Sequence, residues 1–193
     1  KLYTFIEVFG LSVALGFVIL LASYARTEFS VGAKQPLSRQ LYVIGAGNSF
    51  GMTLGTSEEF FPSVPEIKAW TRISYGGTAD VMVGDDYYQA AEISVDTNFF
   101  KFFDYRLTGC PKDNVLENED EVILSESFAK KVFGNEDPIG RTLSVDKSNW
   151  TVVGVVEDFG PVDVFEHCDM FTSIKRAQKR FAWMDNFGNT IPI

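Results

Sequence analysis

The sequence predicts an α+β protein: an N-terminal transmembrane helix, then a mixed α/β domain with a smaller β-rich lobe at about 121–158. Three observations carry this. Val8 to Ala25 reads VFGLSVALGFVILLASYA, eighteen residues without a charge, bracketed by Glu7 and by Arg26 and Glu28. Beyond Ser38 the apolar run gives way to short alternating segments of strand period, punctuated by brief helix starts. Of the 193 residues 46% are hydrophobic and 22% charged, which suits a packed core and argues against disorder.

At about 1.5 Å per residue, Phe5 to Ala25 would cover roughly 30 Å, the thickness of a hydrocarbon core. Gly10, Ser12, Ala14 and Gly16 stand at spacings that suit close helix contact in a bilayer, and no polar face interrupts the run. A cleaved signal peptide is the rival reading. The run exceeds a usual signal core, and Ser23, Tyr24 and Ala25 followed by Arg26 make a poor small-x-small site, so an anchor is expected. Lys1 is the only cation before the run, too little to orient it by charge. Residues 1–32 are assigned to the helix and its exit and 33–193 to the domain, with Ala33 to Ser38, containing Pro36, as connector.

Within the domain, strands are expected at Leu41–Ala46, Ile67–Tyr75, Ala79–Val83, Ala90–Val95, Glu121–Leu124, Arg141–Val145, Trp150–Val156 and Met170–Ile174. Thr56 with Glu59 spells a capping box before Pro62. Asp96 is placed to cap a helix at Asn98–Phe103, and Ser125 one at Glu126–Phe133. Gly134 suits a left-handed stop, and Glu126 with Lys130 forms an i,i+4 pair.

Charge and motif content exclude several functions. The 26 acidic residues exceed the 17 basic ones, a net charge of -9, so nucleic acid is not an expected partner. VIGAGNSFG at 43–51 has the look of a dinucleotide loop, but Gly51, Gly55 and Pro62 interrupt the helix that would have to follow. Ser127 to Lys130 spells S-x-x-K without the K-T-G that accompanies it in penicillin-recognising enzymes; a short amphipathic helix explains it. His167 is the only histidine, and its neighbour Cys168 offers no chelating spacing. Cys110 and Cys168 are read as unpaired thiols. The acidic groups Asp85-Asp86 and Glu117 to Glu121 are read as solvated turns. The basic run Lys175, Arg176, Lys179 and Arg180 is read as a solvated helical face, with anionic lipid as its alternative contact. No P-loop occurs, so ATP hydrolysis is not expected from these residues. Neither a cofactor nor a metal is expected.

At Val122 to Val156, VILSESFAKKVFGNEDPIGRTLSVD followed by WTVVGVV resembles the extracytoplasmic domain of MacB/FtsX-like ABC-transporter permeases. VDTNFFKFFDYRLTG at 95–109, FPSVPEIKAWTRI at 61–73 and FIEVFGLSVALGFVILL across the apolar helix are similar to further family segments, in the family's order. The resemblance implies a MacB-like periplasmic core domain, truncated at its C-terminus, displayed outside the cytoplasmic membrane. It further implies a non-enzymatic lever for mechanotransmission, driven by a cytoplasmic ATPase subunit or another region of the protein. Its partners would be a second permease copy, the lipid bilayer and a periplasmic adaptor or envelope protein. Ser125, Phe133, Gly134, Pro138, Gly140 and Gly154 are the expected structural motif residues, with no catalytic ones. A membrane-anchored sensor ectodomain and a tethered envelope enzyme are the alternatives from other classes.

Overall fold

A computed structural model describes residues 2–29, 35, 37, 40–46, 49–50, 54–160 and 163–180. Helix α1, Leu2–Glu28, has 27 residues and none of them is buried. At about 1.5 Å per residue it extends about 40 Å, long enough to cross a bilayer. Ser12 Oγ donates to Val8 O at 2.7 Å, folding its hydroxyl back onto the helix backbone. That leaves an apolar cylinder, unlike a core helix, which would be wrapped by its own protein.

The rest is built on one seven-stranded mixed sheet. Its strands are β3 (Ile73–Val83), β4 (Asp86–Val95), β5 (Leu107–Thr108), β6 (Glu121–Ser125), β7 (Thr142–Val145), β8 (Ser148–Val156) and β9 (Met170–Ser173). The pairings run β8–β6–β9–β4–β3–β7 and return to β8, so these strands form a closed ring. β5 alone lies outside it, paired with the last residues of β8. Closure gives each strand of the ring a neighbour on both sides along part of its length, with β3 meeting β7 at Val81 and Met82. The strands between 121 and 158 thus share one sheet with β3, β4 and β9. A separate two-stranded ladder joins β1 (Gly45–Ala46) to β2 (Ser49–Phe50).

Three sequence expectations shift here. The strands expected at 67–75 and 79–83 contribute to one strand, β3, which begins only at Ile73: residues 67–72 lie outside it, and a bulge between Tyr75 and Gly77 absorbs the glycines that seemed to separate the two. The strand expected from Leu41 is confined to β1. Helix α2, Leu54–Phe60, starts two residues before Thr56, so Thr56 lies inside the helix and not at its cap.

Burial on both sides of the sheet produces two cores. Inside the ring, Ala79, Val81, Val122, Leu124, Leu143, Val145, Trp150, Val152 and Met170 pack together, and helix α4, Glu126–Phe133, adds Phe128, Ala129 and Phe133. On the other face, helix α3 (Phe99–Phe102) and the segments around 103–116 and 159–168 cover Ile93, Val95, Ile123 and Phe171 with aromatic rings. Phe99, for example, lies 4.7 Å from Phe103, 5.3 Å from Phe165 and 5.6 Å from Phe171 between ring centroids. Alternation along β4 divides it between the two cores: Ile93 and Val95 meet the aromatic cluster, while Ala90, Glu92 and Ser94 face into the ring.

Candidate functional site

The stretch from Ser125 to Gly154 is assembled from local rules. Ser125, in extended conformation, accepts a hydrogen bond at its Oγ from Phe128 N at 3.3 Å, a side-chain N-cap. Gly134 ends α4 at φ 64 and ψ -119, a positive φ with a ψ outside the left-handed helical well that had been expected. Phe133 is buried and Arg141 lies over its ring, Cζ 5.7 Å from the centroid. Asp137 Oδ1 accepts from Ile139 N, and Pro138 O accepts from Arg141 N, forming the turn into β7. Gly140 N donates to Val152 O at 2.7 Å. At Gly154 a side chain has no room: an added Cβ would lie 2.8 Å from Cys110 Sγ and 3.0 Å from Thr108 O, where β5 approaches β8. Beside it, Val122 faces Val152 and Ile123 faces Gly154, so Val153 is the extra residue of a bulge.

Two local electrostatic readings are corrected. Asp96 does not cap α3 with its carboxylate. It accepts instead from Arg72 N at 2.7 Å and from the Arg72 guanidinium through Nε and Nη2, while its backbone carbonyl takes Phe99 N. Glu126 pairs with Arg106 at 2.8 Å and not with Lys130.

The basic run at 175–180 keeps the solvent-exposed face expected for it at Lys175, Lys179 and Arg180, and adds contacts to the domain. It forms helix α5, Ile174–Arg180, and every polar side chain on it is taken up by the protein. Lys175 donates to Glu117 O, Gln178 to Glu58 Oε1 and Lys179 to Glu119. Arg176 meets Asp146 at 2.7 Å and lies over Trp150, Cζ 4.2 Å from the ring centroid. Arg176 and Arg180 each approach the Glu92 carboxylate at 3.4 Å. That carboxylate is 1% exposed. Glu92 Oε1 also accepts from Thr172 Oγ1 at 3.0 Å, and Thr172 in turn bonds Ser94 at 2.8 Å. A carboxylate inside a sheet needs this company, since a buried polar group without hydrogen-bonding partners is costly. The signal for the cluster was one carboxylate in the otherwise uncharged run Ala90–Val95. Its partners, 80 and 88 residues away at Thr172 and Arg180, were not visible in sequence.

Neither of two surface hollows among the described residues contains an assembled nucleophile. One groove of about 510 Å³ runs along Phe61 to Trp70 and Asp96 to Asn98. A hollow of about 380 Å³ includes Cys110, Glu121 and Ile139. Burial, with the nearby Glu121 charge, raises the Cys110 thiol pKa, which disfavours the reactive thiolate. Cys168 is raised further, first by burial and then by Asp169. Both cysteines are free thiols. Ser127 and Lys130 of the S-x-x-K stretch are both exposed and share no hydrogen bond; Ser127 N donates to Asp158. His167 is exposed. Among the described residues, no group of three or more His, Cys, Asp or Glu is arranged to hold a metal.

A helix of membrane-spanning length followed by a closed mixed sheet defines the class: an α+β domain behind an apolar helix. Residues 4–191 match the family described as the MacB-like periplasmic core domain, and the chain belongs to that family. It is 40% identical over 47 residues to the macrolide export ATP-binding/permease protein MacB of Aggregatibacter actinomycetemcomitans, an alignment covering 24% of this chain and 7% of that relative. The crystal structure of a domain from a Porphyromonas gingivalis protein assigned as a permease superposes with a TM-score of 0.52 at 24% identity. That superposition covers 60% of this chain and 50% of the other. The periplasmic region of MacB from Actinobacillus actinomycetemcomitans gives a TM-score of 0.45 at 22% identity, over 58% of this chain and 50% of that one. The chain therefore carries a MacB-like periplasmic core domain, with an apolar helix of membrane-spanning length at its N-terminal side.

Proposed function

We propose that this domain transmits motion between ATP hydrolysis in the cytoplasm and an event on the far side of the inner membrane, either export or regulation of an envelope partner. The family match over 4–191, which takes in the spanning-length helix as well as the sheet domain, carries this reading. In it, α1 enters the inner membrane and the domain stands in the periplasm, works with a second copy, and engages an adaptor or envelope protein. Hydrolysis belongs to a separate ATPase subunit or to another region of the polypeptide. A lever of this kind needs a stiff domain attached to a moving helix and no reactive pocket. The closed ring suits that demand.

The test is to purify the full-length protein from membranes with whatever it retains and measure ATP turnover. Turnover that disappears when the ABC-type ATP-binding subunit or region is inactivated, and survives Ser127→Ala, supports the reading. Turnover that persists without any such ATPase and is lost on Ser127→Ala would replace it with an enzyme.

A further inference from the structure

Helix α5 is held in a way that sets it apart from the rest of the domain. Only Ile174 and Ala177 are buried on it, small anchors beside the two phenylalanines of α4. Its remaining attachments are charged or polar and fan out to five separate places: α2 at Glu58, the 117–119 segment, Asp146 in the turn between β7 and β8, the Gly76 carbonyl on β3, and Glu92 inside the ring. The attachments to Glu92 are long, and buried Arg176 Nε makes no hydrogen bond there. Glu92 does not depend on α5 alone, because Thr172 remains on its Oε1 when the helix is away. Asp146 is likewise fixed independently. It and Lys147, at φ 50 and 68, form the two-residue turn joining β7 to β8.

We propose that α5 is a releasable lid: an ion-paired cover over the Glu92 end of the ring that leaves and returns as a unit while the ring stays folded. Release exposes Glu92, Asp146 and the Trp150 face to water. Ion pairs that reach solvent weaken with ionic strength, whereas the apolar contacts of the ring do not, so salt separates the lid from its support. This goes beyond the lever reading and does not rest on it, since a lid of this construction would open in any protein containing these contacts.

Amide hydrogen exchange on the full chain in detergent tests it, comparing 174–180 with β6 at 121–125. In the parent protein, α5 should exchange at least tenfold faster than β6, and raising NaCl from 0.05 to 0.5 M should speed α5 alone. Glu92→Gln, which keeps the shape and the Thr172 contact, should speed α5 a further tenfold and leave β6 unchanged. Asp146→Asn preserves a residue suited to the turn and removes only the charge; it should speed α5 about threefold, and it decides the matter if the Glu92 variant fails to fold. Equal protection of α5 and β6 in the parent, or acceleration of both together by salt or Asp146→Asn, would make α5 part of the cooperative core and overturn the lid.

Discussion

Helices α4 and α5 are nearly equal in length and are fastened in opposite ways. α4 is capped by Ser125, stopped by Gly134 and anchored by Phe128, Ala129 and Phe133. α5 buries two small-to-medium apolar residues and spends every polar side chain on a carboxylate or carbonyl elsewhere. The contrast shows one sheet carrying two kinds of attachment: one fixed by shape, and one set by charge and therefore adjustable. It also separates what stiffens the domain from what can move on it.

The largest effect should come from α4. Phe133→Ala removes a buried ring and is expected to destabilise the protein by about 3 kcal/mol, read from the denaturant midpoint. A midpoint close to the parent's would show that α4 is not held by its apolar face, and the contrast would collapse. The second effect is on α5. Arg176→Ala withdraws a cation from buried Glu92 and uncovers Trp150, but Arg180 remains, so a loss of about 1–2 kcal/mol is expected. A cost equal to that of Phe133→Ala would place α5 in the core. The smallest should be at the cap, where Ser125→Ala is expected to cost about 1 kcal/mol by removing the acceptor for Phe128 N. Thermal melting of that variant, with retained exchange protection of β6, would show that the cap tunes α4 without defining it.

How much of this was legible in sequence follows the same division. α1, α4 and strands β6 to β9 rest on local signals: an uncharged run, a Ser cap, a Gly stop and alternation within a few residues. The features that sequence misplaced are those whose partners fold in from far away. Asp96 is claimed by Arg72 before it can cap α3, Glu126 by Arg106, and three of the four basic residues at 175–180 by acids on three separate segments. Long charged side chains choose partners by proximity in space, and no period in the chain records that choice. The merging of two expected strands into β3 has a similar cause: Gly76 and Gly77 break the alternation in sequence, while the bulge keeps the ladder continuous. Of the motif residues, Ser125 and Gly134 could be placed by rules of helix ends. The crowding at Gly154 depends on β5 and Cys110 arriving from elsewhere.

The placement of the domain is open to one direct measurement. Two reporters fused in turn after Gly32 would read the side of the membrane on which α1 ends: a phosphatase that needs an oxidising compartment, and a fluorescent protein that matures only in the cytoplasm. Phosphatase activity without fluorescence is the result expected for a periplasmic domain carried on a membrane-spanning α1. Fluorescence without phosphatase activity would put the domain in the cytoplasm and contradict the proposed transmission across the membrane.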